Sequence, residues 1–129
     1  MVRAWIRPLF VVAAIYDLVL GAVYFLAYKT LYAMFGVELP NHAGYVHLSA
    51  ALIFIFGVGF WLVARDPVRN RDIIKLGALM KIAFAGVVFG HLIFGTIPAM
   101  YIPFATLDLL FLVGFILALG TLPAEPATV

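Results

Sequence analysis

The sequence predicts an all-α integral membrane protein, an antiparallel bundle of four transmembrane helices. Two observations predict this class. Hydrophobic residues make up 67% of the 129 residues and charged residues only 11%, whereas charged residues are about a quarter of a soluble domain. The apolar residues also fall into four blocks, each close to the ~20 residues that a helix needs to cross the hydrocarbon core of a bilayer.

These four blocks define the predicted helices, which cover residues 8–30, 45–64, 73–96 and 101–121. Proline and glycine separate them: Pro40 and Gly44 lie in the first connection, Pro67 ends the second helix, and Pro98 and Pro103 confine the third connection. Because the connections are short, consecutive helices are predicted to be antiparallel neighbours. Too little sequence remains for a second domain, so residues 1–129 are predicted to form one domain.

Positive charges predict how the helices are oriented. Arg3 and Arg7 precede the first helix, and the second connection, RDPVRNRD, adds further arginines, whereas the third connection, TIPAMYIPF, has no basic residue. The positive-inside rule therefore places both termini in the cytoplasm. The isoelectric point of about 9.1 follows from these clusters and indicates no nucleic-acid partner. The lipid bilayer is the predicted main partner.

Three ionisable residues lie deep inside predicted spans. At 1.5 Å of rise per residue, Asp17, Lys81 and Asp108 are about 14, 12 and 20 Å from the inner ends of their helices. A charge at such depth costs at least a few kcal/mol, so we expect Lys81 to pair with one or both carboxylates. Two interpretations stay open: a buried ion cluster that fixes how the helices pack, and a proton relay or the polar floor of a ligand site.

A second polar level lies nearer the outer side. Tyr24 and Tyr28 share the helical face of Asp17, and His47 and His91 are about 26 and 27 Å from the cytoplasmic ends of their helices. Ligand pockets combine apolar walls with a few placed polar groups. These two tyrosines and two histidines therefore predict an outward-opening region for a hydrophobic ligand such as a quinone or lipid. Core packing by the tyrosines and hydrogen bonding at the interface by the histidines are the alternative interpretations.

Two further uses of the histidines follow from their chemistry. His47 and His91, at one depth on facing helices, fit the axial ligation of haem b, but only Lys29 is near enough to pair with the propionates, which disfavours haem. Imidazole and carboxylate groups from Glu38, His42, His47 and His91 would also suit a metal ion. No close ligand spacing supports that site, so no metal is predicted.

Small residues on the third helix predict a close helix contact. Gly86 and Gly90 form a G-x-x-x-G pair, a spacing that lets helix backbones approach closely in lipid. The partner is either another helix of the same chain, a second copy, or a subunit of a larger membrane complex. The pattern does not distinguish among them.

Signatures of enzyme chemistry are missing from the sequence. There is no G-x-S-x-G turn, phosphate-binding loop, H-E-x-x-H helix or glycine-rich dinucleotide turn. The chain also has no cysteine, which excludes disulfides and thiolate chemistry. Binding or an accessory role is therefore favoured over catalysis.

The chain resembles the DoxX-like group of small bacterial four-helix membrane proteins. The resemblance rests on the four-span layout, on Asp17-Leu18 followed by Gly21, on the connection ARDPVRNRDIIKLGALMK, and on the fourth-helix segment ATLDLLFLVGFILAL. Some members of that group resemble membrane subunits associated with quinone-linked redox enzymes. The resemblance implies a four-helix bundle in the bacterial cytoplasmic membrane with both termini on the cytoplasmic side, and it favours a role near the quinone pool.

The leading prediction is a binding or accessory subunit linked to membrane redox or quinone metabolism. It combines the ion cluster of Asp17, Lys81 and Asp108 with a ligand region in the outer half. Two alternatives stay open. One is a proton-coupled carrier or channel, and the other is a bis-histidine haem b electron-transfer subunit.

Overall fold

Four α-helices account for most of the chain in the computed structural model, which describes residues 1–125. They are α1 (Ile6–Met34), α2 (Ala43–Arg65), α3 (Arg71–Phe94) and α4 (Tyr101–Thr121). Each helix is long and apolar enough to span a membrane. The all-α class and the four predicted helices are thereby confirmed, and their length and composition indicate a multi-pass membrane protein. Residues 126–129, the end of the predicted domain, lie outside the described residues.

Helix α1 continues about one turn beyond its predicted end at residue 30. Its end is set by Gly36, which has a φ of 64°, a left-handed conformation that glycine adopts without a steric penalty. In this conformation the N–H of Val37 donates to the carbonyl of Tyr32 at 2.9 Å, which is the closing hydrogen bond of a glycine-terminated helix. The predicted end at residue 30 was too early, because the residues around Thr30 include no glycine that could end the helix in this way.

Local side-chain hydrogen bonds fix the two ends of α2. At its start, Nδ1 of His42 accepts from the N–H of Gly44 at 2.9 Å, so the imidazole caps the helix. At its end, the side-chain amide of Asn70 donates to the carbonyls of Leu62 and Asp66, both at 3.0 Å. These bonds add to the backbone hydrogen bonds that the same two carbonyls accept from the N–H groups of Asp66 and Asn70. They also hold the connection to α3 against α2.

Glycines allow α1 and α2 to pack with their backbones in contact. A Cβ atom added to Gly21 would lie 2.7 Å from the backbone nitrogen of Phe54 and 2.8 Å from the carbonyl oxygen of Ala50. A Cβ atom added to Gly57 would lie 2.7 Å from the backbone nitrogen of Leu18. Each helix therefore contributes one glycine to the contact. The most extensive contacts are between α1 and α2 and between α3 and α4.

Phenylalanine rings join the two helix pairs. The Phe10 and Phe115 rings stack with centroids 4.7 Å apart, and the Phe60 ring meets Phe115 edge-on at 5.0 Å. All three residues are fully buried. They lie within a larger apolar group, here called the phenylalanine core, whose buried members are Ile6, Phe10, Ala13, Ala14, Phe60, Val63, Ala64, Ile74, Ala78, Phe115, Ala118 and Leu122. Since α1, α2, α3 and α4 all contribute, this core holds the helices together.

Replacing Gly21 with alanine is expected to lower the free energy of unfolding by about 1–3 kcal/mol, because the added methyl group meets backbone atoms that cannot move aside. Gly86 is the matched control, since an added Cβ there meets nothing within 4 Å. Gly86→Ala is expected to be neutral or slightly stabilising, as alanine favours helix over glycine. Unfolding of both variants in detergent micelles measures the difference. Equal stability of the two variants would contradict the close α1–α2 contact.

Candidate functional site

Three ionisable side chains from different helices meet inside the protein. Lys81 Nζ, from α3, lies 2.8 Å from Asp108 Oδ1 of α4 and 3.2 Å from Asp17 Oδ1 of α1. The second Asp17 oxygen is 3.4 Å from the same ammonium. Asp17 and Lys81 are each 1% exposed and Asp108 is 5% exposed. The lysine therefore links both carboxylates in one buried ion cluster.

Aromatic rings surround the lysine of this ion cluster. The ammonium nitrogen lies 5.2 Å from the ring centre of Phe111, 5.5 Å from that of Tyr16 and 5.6 Å from that of Phe60. Ring faces attract a cation at such distances. The rings also exclude water, which strengthens the attraction between lysine and aspartate. Phe60 belongs to α2, so side chains from the three other helices surround Lys81.

A physical consequence of this geometry is that the ion cluster specifies how three helices pack. Separating the helices, or shifting one of them by a turn, would leave a charge buried without its partner, which costs about 3–5 kcal/mol. A buried ion pair of this kind selects one arrangement over alternatives even when it adds little net stability. The cluster also brings ionisable oxygens together in a water-poor interior, where proton transfer between them is chemically feasible.

Tyrosines form a second buried group further along α1. Tyr24, Tyr28 and Tyr32 are each less than one tenth exposed, and they pack with Met100. The Tyr24 and Tyr32 rings meet edge-on with centroids 6.4 Å apart, and the Tyr32 hydroxyl lies 3.0 Å from the hydroxyl of Tyr101. The Tyr24 ring also meets Phe104 of α4 edge-on at 6.3 Å, so Tyr24 packs between α1 and the start of α4. This group, here called the tyrosine core, closes the end of the protein opposite the phenylalanine core.

An elongated groove lies on the surface where α1 meets α2. It consists of two adjoining depressions of about 450 and 350 Å³, each within the size range of small-molecule pockets. Both are lined by Phe25 and Leu26, so they lie side by side along the helices. The first also contains Ala27, Tyr28, Lys29, Thr30, Ala43 and His47. The second also contains Gly21, Ala22, Ala50, Ala51, Phe54 and Ile55.

This α1/α2 groove is polar at one end and apolar along the rest. His47 lies at the polar end, where its ring stacks on Phe25 with centroids 4.6 Å apart and meets Tyr28 edge-on at 5.7 Å. None of the described residues is hydrogen-bonded to the His47 side chain. Helix α1 is irregular here, since Ala27 has a non-helical φ of −135°. Such a break disturbs the helical ladder and exposes backbone polar groups to a neighbour.

His91 lies on a different surface from His47. It lines a depression of about 320 Å³ together with Gly86, Val87, Gly90 and Phe94, all of α3. This depression shares no residue with the α1/α2 groove. An added Cβ at Gly86 or Gly90 would meet no atom within 4 Å. The G-x-x-x-G pair therefore faces outward and does not pack against another helix of the described chain.

The structure thus separates the four side chains predicted to line a ligand region. Tyr28, a member of the tyrosine core, lies with His47 in the α1/α2 groove, whereas Tyr24 lies in the tyrosine core without lining the groove and His91 faces outward on α3. Phe25 was missed by sequence reasoning. The small residues of α1 and α2 at the apolar end of the groove could have indicated it. Small side chains leave a depression on the helix surface, and Phe25 is the bulky side chain beside that depression.

The histidines of the described chain lie in separate surroundings. Within residues 1–125, no three histidine, cysteine or acidic side chains lie close enough to hold a metal ion. His42 caps α2 through Nδ1, which competes with its use as a ligand. His47 and His91 line separate depressions, whereas a bis-histidine haem needs both imidazoles on opposite sides of one iron.

No protein-family model, curated protein sequence or solved structure matches this chain. The resemblance to the DoxX-like group therefore stays a prediction from the sequence.

Proposed function

We propose that the protein binds a lipid-soluble quinone in the α1/α2 groove, as a binding or accessory subunit of redox metabolism in a bacterial cytoplasmic membrane. One observation carries this proposal: the groove joins a polar end at His47 to an apolar trough. A quinone has the same division between a carbonyl-bearing ring and an isoprenoid tail. The DoxX-like resemblance supports the link to the quinone pool.

The polar end of the groove offers suitable partners for the quinone ring. The imidazole of His47 can donate a hydrogen bond to a quinone carbonyl, and the Phe25 ring on which it stacks can support a planar ring. The tail would follow the small residues Gly21, Ala22 and Ala50 between the flanking apolar side chains. Leu26 and Ile55 are 82% and 60% exposed, so a tail can enter sideways from the lipid.

The proposed arrangement in the membrane is an antiparallel bundle with both termini in the cytoplasm. Support comes from contacts between helix ends: the Arg7 guanidinium donates to the carbonyl of Arg65 at 2.8 Å, and that of Arg71 donates to the carbonyl of Pro123. The start of α1 thus lies beside the end of α2, and the start of α3 beside the end of α4. Most of the basic residues gather at this end, as the positive-inside rule requires of the cytoplasmic side.

Addition of a short-chain quinone analogue to the purified protein in lipid nanodiscs is expected to raise its thermal stability. A ligand at 100 times its dissociation constant stabilises the folded state by about 2.7 kcal/mol. His47→Leu is expected to weaken this effect by removing the hydrogen-bond donor at the polar end. His91→Leu is the matched control, because His91 lies outside the groove.

Two results would contradict the proposal. One is that the quinone analogue leaves the thermal stability of the native protein unchanged. The other is that His47→Leu and His91→Leu respond to the analogue equally. Mass spectrometry of the purified complex distinguishes the bound class, since retention of phospholipid in place of quinone would assign the groove to a lipid and remove the redox role.

A further inference from the structure

The ion cluster carries an unbalanced charge when all its groups are ionised. It contains two carboxylates, Asp17 and Asp108, and one ammonium, Lys81, so its formal charge would be −1. The facing groups do not compensate this charge: α2 contributes only the ring of Phe60, and α1 adds only the neutral phenol of Tyr16. A net charge in a water-poor interior costs several kcal/mol. The folded protein therefore needs one more positive charge at this place.

Hydrogen-bond geometry shows which carboxylate oxygen is free to receive it. Lys81 lies within 3.4 Å of both Asp17 oxygens but contacts only Oδ1 of Asp108. Oδ2 of Asp108 receives no hydrogen bond from the residues that the structure describes. The Asp108 side chain is also the more accessible of the two, at 7% against 2% for Asp17. Asp108 Oδ2 is thus the open position of the ion cluster.

An unpaired hydroxyl lies beside the same cluster. The Tyr16 oxygen is buried, and no described residue provides it with a hydrogen-bond partner. A buried hydroxyl without a partner costs about 1–3 kcal/mol, and ordered water is the usual partner of such groups. The Tyr16 ring packs against Phe111 and faces Lys81, which places the phenol at the edge of the ion cluster.

A proton suits this position better than a metal cation. An alkali or divalent ion would need several oxygen ligands, whereas the cluster offers one free carboxylate oxygen. It would also be repelled by the Lys81 ammonium 2.8 Å from Asp108 Oδ1. A proton needs only a single oxygen, and it turns Asp108 into a neutral hydrogen-bond donor.

We propose that the ion cluster is a binding site for one exchangeable proton, held on Asp108 next to a buried water that the Tyr16 hydroxyl contacts. The ion cluster and the α1/α2 groove share no residue, so the proton site does not require a bound quinone. In the proton-loaded form the cluster is neutral, with Asp17 ionised against Lys81. Release of the proton restores the charge of −1.

Infrared spectroscopy of the protein in nanodiscs at neutral pH tests the proposal, since a protonated carboxyl group has a carbonyl stretch that carboxylates lack and that shifts in D₂O. The native protein is expected to show one such group. The four other acidic residues lie outside the ion cluster, at helix ends, in a connection or in the C-terminal tail. Asp108→Asn, a neutral isostere, and Asp17→Asn are both expected to show none, because each leaves one carboxylate balanced by Lys81.

Lys81→Met is expected to double the carboxylic band, as both aspartates then need a proton. Tyr16→Phe is expected to keep the band intensity but to change its frequency, since the hydrogen bonding of the proton site changes. Absence of the band from the native protein would overturn the proposal. So would its full retention in Asp108→Asn or in Asp17→Asn. An unchanged frequency in Tyr16→Phe would overturn the water link.

Discussion

Replacing Lys81 with methionine is expected to lower the free energy of unfolding by about 3–5 kcal/mol, the usual cost of removing one partner from a buried ion pair. Methionine retains much of the length of the lysine stem but not the ammonium group. Asp17 and Asp108 would then face each other without the group that joins α1 and α4 through α3. Unfolding by a denaturing detergent, titrated into mild-detergent micelles, measures the loss.

Lys75 provides a matched control for this experiment. It lies on the same helix and also pairs with an aspartate at 2.8 Å, but the side chains of Lys75 and Asp72 are 58% and 88% exposed. Lys75→Met is therefore expected to cost less than about 1 kcal/mol. Combining Lys81→Met with Asp17→Asn and Asp108→Asn should recover part of the loss, because neither side chain then has to take up a proton to become neutral. Equal stability of the two lysine variants would contradict a stabilising role of the ion cluster.

Replacing Phe60 with alanine is expected to cost about 3 kcal/mol, at the lower end of values for buried phenylalanine. In lipid the loss comes from packing contacts rather than from transfer out of water. Phe60 contacts one residue of each of the three other helices: Phe10 of α1, Gly77 of α3 and Phe115 of α4. Its removal therefore opens a cavity where the two helix pairs meet.

Phe94→Ala is the control for this second variant, since Phe94 is 92% exposed. It is expected to leave the unfolding transition in micelles nearly unchanged. A loss in Phe94→Ala as large as that in Phe60→Ala would show that the phenylalanine core does not hold the helix pairs together.

The hydropathy of the sequence and the rise per residue of a helix predict much of the fold and of the ion cluster. The four apolar blocks correspond to the four helices, because in a bilayer the length of a span is set by the hydrocarbon thickness. Counting residues placed Asp17, Lys81 and Asp108 near the midplane, and the structure brings these side chains into contact. A charged side chain that is removed from water needs a partner of opposite charge. The depth of these three residues was therefore enough to predict that they pair.

Depth does not determine which face of a helix a residue occupies, and this explains the separation of the two histidines. At 3.6 residues per turn, Gly90 lies about 180° around α3 from Lys81, and His91 about 80°. Once Lys81 points into the protein, Gly90 must point away from it, and His91 lies towards the side. The residue spacing gives the angle between two side chains on α3. It predicts which side chain faces outward only when one inward-facing residue is known.

The groove at His47 arises from structural features that the spacing of apolar residues in the sequence does not predict. The end of α1 is set by Gly36, and its irregular geometry at Ala27 occurs without a proline or glycine at that position. Phe25 and His47 meet because Gly21 and Gly57 bring the two backbones together. The groove is thus a product of tertiary packing between α1 and α2.

Photoaffinity labelling tests ligand binding in the α1/α2 groove most directly. A quinone carrying a photoreactive group on its tail would be irradiated with the protein in nanodiscs, and the labelled peptides would be identified by mass spectrometry. We predict adducts within residues 21–26 and 50–55 that an excess of unlabelled quinone suppresses. Adducts spread evenly over the four helices, or adducts that unlabelled quinone does not suppress, would contradict binding in the groove.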